Sequence, residues 1–86
     1  MEVLVATPTE EQKAEMKTKP IWGCDESVFD WHYDSEEICL LTEGEVTVEY
    51  DGGSVSFGAG DLVVFPKGLS CVWKVTKAVR KHYIFR

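Results

Sequence analysis

At 86 residues the chain falls well below the roughly 150 expected of an average domain, so it reads as one domain, 1–86, with one small core. Nine basic residues against fifteen acidic ones give a formal net charge of −6, with the acidic excess spread along the chain. Nucleic-acid phosphates and anionic membrane surfaces both need a basic patch, so neither is expected as a partner. The longest apolar stretch, Leu62 to Pro66, is far short of the roughly 20 residues that a membrane span requires.

The start, Met1-Glu2-Val3-Leu4-Val5, lacks the basic and apolar regions of a signal peptide. Cys24, Cys39 and Cys71 are odd in number and show no CxxC spacing. They read as reduced thiols, and a cytoplasmic protein is expected.

Residues 1–20 form a lead carrying a short helix. Thr7-Pro8-Thr9-Glu10 has the form of a helix start, with Thr7 as cap, Pro8 in the first turn and Glu10 closing a capping box. The sequence predicts a surface helix from Pro8 to Thr18, with Met16 as its main apolar residue.

Residues 21–86 carry short apolar runs between turn residues, the pattern of an all-β barrel or sandwich with about eight strands. Glu45 to Tyr50 alternates, placing Val46, Val48 and Tyr50 on one face, and Asp51-Gly52-Gly53 turns the chain into a hairpin. Ile38 to Leu41 and Leu62 to Phe65 are apolar at every position, so these strands need cover on both faces. The acidic helix is a poor candidate to supply all of the outer cover, and a homodimer is expected.

Strand parity selects the inward side chains. Phe29, Trp31 and Tyr33 share one face, and Asp30 and His32 the other. Cys71, Trp73 and Val75 point inward because Lys74 and Thr76 seek water. Glu37 falls in step with Cys39 and Leu41, which brings a carboxylate to the mouth or interior of an apolar barrel, where an unpartnered charge is costly. The last strand has two readings: Lys81 inward with Val79, Tyr83 and Phe85, or His82 inward with Arg80 and Ile84. The greater apolar content favours the first.

Gly60-Asp61-Leu62-Val63-Val64-Phe65-Pro66-Lys67-Gly68 resembles the second cupin motif, and Glu37 followed by Gly44 resembles the end of the first. Trp22, Phe29-Asp30-Trp31 and Lys81-His82-Tyr83 are similar to small single-domain cupins of the (S)-ureidoglycine aminohydrolase type. The resemblance implies a jelly-roll (RmlC-like) double-stranded β-barrel and a homodimer. Metal-binding cupins carry three His and one Glu in the barrel. The positions matching the three His hold Trp31, Tyr33 and Cys71, leaving only Glu37. One carboxylate and one thiol do not make a catalytic metal set, so no metal or other cofactor is expected. His32 lies on the outward face and reads as a surface histidine. Cys71 as a nucleophile would need a base or a positive neighbour, and Lys81 is its one inward candidate.

The candidate ligand-binding set is Trp31, Tyr33, Glu37, Cys71, Trp73 and Lys81. Their chemistry points to an unknown small molecule held in an aromatic pocket around one carboxylate, and the resemblance implies a nitrogenous metabolite. Two alternatives stand beside it: a non-catalytic dimer whose barrel is filled by its own aromatics and which acts through association with another protein, and a ureidoglycine aminohydrolase-like enzyme. Whether a reaction is catalysed stays open at this level.

Overall fold

Two long strands, bent at their middles, organise the molecule. A computed structural model describes residues 1–86. The elements are β1 (Leu4–Ala6), α1 (Glu10–Met16), β2 (Ile21–Cys24), β3 (Ser27–His32), β4 (Glu37–Tyr50), β5 (Gly53–Gly58), β6 (Leu62–Phe65) and β7 (Ser70–Phe85). The first half of β4 and the second half of β7 pair with each other and with β6 and β2, and β1 adds to the outer edge of β6. Their other halves pair with each other and with β5 and β3. The result is two antiparallel layers sharing β4 and β7, the all-β cupin architecture.

Six strands follow residue 20 rather than about eight, because β4 and β7 run for 14 and 16 residues through their bends without a break in pairing. The register slips between Leu41 and Val46, opposite Val75 to Lys81. These bulges change which residues of β4 face inward, from Glu37, Cys39 and Leu41 to Val46 and Val48. Gly44 takes φ 93° there, and a Cβ at this position would lie 2.3 Å from the Ala78 carbonyl oxygen.

The lead differs from expectation in two details. Leu4 to Ala6 pair with β6, so the lead contributes a strand to the sheet. The helix is also shorter than predicted, because Thr9 rather than Thr7 caps it: the Thr9 hydroxyl accepts from the Gln12 amide N–H, and the Gln12 side chain accepts from the Thr9 N–H. Pro8 therefore lies before the cap. The helix buries one side chain, Met16, against Leu40 and Leu62.

Between the layers, Tyr33, Cys39, Leu41, Val46, Val48, Phe57, Val63, Phe65, Trp73 and Val75 form the main core. Phe65 stacks on Tyr33 with centroids 4.8 Å apart and packs against Phe57 and Trp73, so aromatic contacts dominate one end of the barrel. No helix is long and apolar enough to cross a membrane.

Candidate functional site

The aromatic end of the barrel is not solid. A cavity of about 170 Å³ lies there, lined by Trp22, Phe29, Trp31, Tyr33, Glu37, Trp73, Lys81, Tyr83 and Phe85. Trp31 and Phe85 are 48% and 46% exposed, and they mark its mouth. Its floor holds the two buried charged residues of the protein, Glu37 at 2% and Lys81 at 5% exposure.

Strand geometry explains how these two meet. Lys81 stands opposite Leu41 in the β4–β7 ladder, and Glu37 stands two inward positions away, past Cys39. The Lys81 side chain is long enough to cover that distance, and its Nζ donates to Glu37 Oε2 at 2.7 Å. The ammonium also lies 4.6 Å from the centre of the Trp73 ring and 5.1 Å from that of Trp22, so two aromatic faces and a carboxylate hold one cation. The carboxylate that the sequence places in an apolar barrel thus has a partner. Removing either member would strand the other charge at a cost of about 3 to 5 kcal/mol.

The pair's field reaches its neighbours. Burial pushes the Tyr33 phenol above its usual range, and the Glu37 charge and a hydrogen-bonding approach to that carboxylate push the same way. Burial raises the Cys39 thiol to about 12, with Lys81 pulling it down and Glu37 pushing it up. Cys71 is raised to about 11 by burial and then by Glu37, so neither thiol is an activated nucleophile. Trp73 Nε1 is buried without a hydrogen-bond partner.

Five of the candidate residues, Trp31, Tyr33, Glu37, Trp73 and Lys81, line this one cavity. Cys71 does not. It belongs to the core, and its open side faces a shallow groove shared with Asp30, His32 and Tyr50. Trp31 holds the mouth rather than the interior, because it lies near the end of the short strand β3, paired with Cys71. His82 points away from the cavity and binds the Lys19 carbonyl oxygen through Nδ1 at 2.9 Å, which settles the facing of the last strand. His32 contacts Ser70 at 2.7 Å on the exposed surface.

Sequence reasoning left Trp22, Phe29, Tyr83 and Phe85 out of the site, although Phe29 shares the parity of Trp31 and Tyr33. Tyr83 and Phe85 share the parity of Lys81, and that was their available signal. Trp22 is placed by its pairing with Lys81 across β2 and β7, which no local pattern announces.

The positions that the resemblance matches to the cupin metal ligands hold an indole, a phenol and a thiol beside one carboxylate, and no three His, Cys, Asp or Glu side chains gather anywhere in a metal-holding arrangement. The donor set does not fit a metal.

A family model described as the EutQ-like cupin domain matches residues 11–83. The chain belongs to the EutQ-like cupin family. This EutQ-like cupin is similar in structure to a DUF861 family protein from Thermotoga maritima, with TM-score 0.94 and 45% identity over 99% of this chain and 100% of that one. It is 33% identical over 60 residues to the acetate kinase EutQ of Salmonella typhimurium, covering 70% of this chain and 26% of that protein. To the acetate kinase EutQ of Clostridioides difficile it is 30% identical over 74 residues, 80% of this chain and 47% of that protein. The EutQ-like cupin therefore spans between about a quarter and a half of these two curated relatives.

Proposed function

We propose that this EutQ-like cupin binds a small, uncharged, carbonyl-bearing molecule of the amide or urea type in the Glu37–Lys81 cavity, without a metal. The single observation that carries the reading is the buried ion pair at the floor of an aromatic cavity. Its charges cancel, so a charged guest would arrive without a counter-charge and would bear an uncompensated desolvation cost. Glu37 can accept from an N–H and Lys81 can donate to a carbonyl oxygen, and an amide edge carries both groups side by side. The flat aromatic walls suit a planar guest. A cavity of about 150 Å³ holds a benzene, so the volume here suits a guest of about six heavy atoms.

The nitrogenous class agrees with the resemblance to ureidoglycine-type cupins. Aminohydrolase chemistry is not carried over, because the metal-ligand positions hold Trp31, Tyr33 and Cys71. The open cavity favours binding over a barrel filled by its own aromatics. The name of the longer EutQ relatives suggests a competing guest, acetate.

Indole N–H signals of Trp22, Trp31 and Trp73 report on the walls in a nitrogen–proton NMR titration. Propionamide and methylurea should shift them with dissociation constants of about a millimolar, given the few heavy atoms involved. Lys81→Met should abolish the shifts. Acetate binding more tightly than the amides would overturn the neutral-guest reading, and no shift with any of the compounds would overturn the binding reading itself.

A further inference from the structure

Stability alone gives no reason for the Glu37–Lys81 pair. Buried ion pairs replaced by well-packed apolar side chains commonly leave a protein as stable or more so. Around this pair the barrel interior is otherwise apolar and aromatic. Lys81 also differs from every other lysine in the chain: Lys13, Lys19 and Lys74 are half-buried and Lys17, Lys67 and Lys77 exposed, whereas Lys81 is buried with its amine on a cavity wall. A lysine desolvated in an apolar pocket can act as a nucleophile toward carbonyl carbon once its proton is removed, and Glu37 is the acceptor in contact with it.

Resting on the reading that the cavity admits small uncharged carbonyl compounds, we propose that Lys81 forms a reversible imine with a small aldehyde or ketone, with Glu37 carrying the proton. At rest the ammonium donates to Glu37 Oε2 over 2.7 Å, so no water relay is needed. Transfer of that proton leaves a neutral amine and a neutral carboxylic acid, two species that apolar walls accept. The amine lone pair attacks the carbonyl carbon and a C–N bond forms. The carbonyl π pair moves to oxygen, which gains a proton as the nitrogen loses one, giving a carbinolamine.

Glu37 then protonates the hydroxyl, the C–O bond breaks, and water leaves as the nitrogen lone pair closes C=N. The balance is ammonium plus carbonyl giving iminium plus water, with one positive charge on each side and Glu37 again a carboxylate. No oxidant or reductant enters. The iminium nitrogen takes over the contacts that held the ammonium, the Glu37 carboxylate and the faces of Trp22 and Trp73. An aromatic cavity that sheds water also favours a step that releases it.

Reductive trapping tests this on the intact protein. Propanal or butanone is added with cyanoborohydride at neutral pH, and peptide mass spectrometry measures alkylation at each lysine over time. Lys81 should be labelled at least about ten times faster than exposed Lys67 and Lys77, reversing the order that accessibility alone dictates. Glu37→Gln, checked for a folded spectrum, should slow labelling at Lys81 by about 100-fold, the scale of a general acid–base contribution. Glu37→Asp keeps the carboxylate and should retain part of the rate if the Gln variant does not fold.

Labelling of Lys81 no faster than Lys67 in the parent protein would overturn the proposal and needs no variant to read. A propionamide titration on the same sample separates the two readings. Indole shifts without Lys81 trapping would sink the imine and leave binding intact, whereas absence of both would sink the binding reading as well.

Discussion

Burial acts on three weak acids inside one barrel, and their effects on stability share a sign. Folding raises the Cys39 thiol from an ordinary 9.0 to about 12, the Cys71 thiol to about 11, and the Tyr33 phenol above its ordinary 10.0. Between pH 9 and those raised values the unfolded chain has released protons that the folded chain retains, so stability falls as pH rises. The contribution is fully present below about pH 9 and is lost progressively above it. Calorimetry from pH 7 to 11 should show a melting temperature that declines with a slope steepening past pH 9. Cys39→Ala should lower the melting temperature throughout yet flatten that slope, and Tyr33→Phe should flatten it above pH 10. A slope unchanged in both variants would remove these groups as its cause.

At this scale Glu37 was legible because a carboxylate in step with Cys39 and Leu41 contradicts its surroundings. Its partner was harder to find. Lys81 lies 44 positions further on, and only the register of β4 against β7 brings it within reach.

The bend in β4 decides which of its residues reach the core. The hairpin and the two-sided strands were legible in the sequence, since alternation at Val46 and Val48 carries a period of two, and the unbroken apolar runs at Ile38 and Leu62 are of strand length and bounded by turn residues. The bulges were not. Thr42-Glu43-Gly44-Glu45 has the composition of a turn, and nothing local says that pairing with β7 continues through it. The helix end moved for a similar reason, since Thr7 and Thr9 both qualify as caps and only Gln12 chooses between them.

Gly44 allows the bend to be tested. It has φ 93°, and a Cβ would meet Ala78 O at 2.3 Å, Lys77 O at 2.7 Å and Val79 Cα at 2.7 Å, all of them backbone. Gly60 has the same φ but faces open space. Gly60→Ala should therefore cost about 1 to 2 kcal/mol from conformation alone. Gly44→Ala should cost more than about 3 kcal/mol, because β7 must move away from β4. Urea denaturation of the two variants makes the comparison, and equal losses would show that the close approach at the bend carries no energy.

The outer face of the molecule concerns association. Registers place Leu4, Val64, Ile38 and Ile84 in one row across β1, β6, β4 and β7, on the side opposite Glu37 and Cys39. Met16 of α1 covers the next row at Leu40 and Leu62, but Leu4 is left 56% exposed and its three row partners half-buried. A row of four apolar side chains spanning four strands is the kind of surface a soluble chain buries against another copy of itself. A standard interface covers about 800 Å² per partner. That is roughly a sixth of the 5078 Å² surface of this chain, so exposed Met1 and Ile21 would have to join the row. Light scattering at micromolar concentration should give twice the 9.7 kDa chain mass, and Ile84→Glu should return the single-chain mass with the fold retained. A single-chain mass for the parent protein would sink the homodimer. Because Ile84 faces outward while its neighbours Tyr83 and Phe85 line the cavity, the Ile84→Glu monomer should still give amide-induced indole shifts. Loss of those shifts on dissociation would mean that the second copy holds β7 in the position the cavity requires.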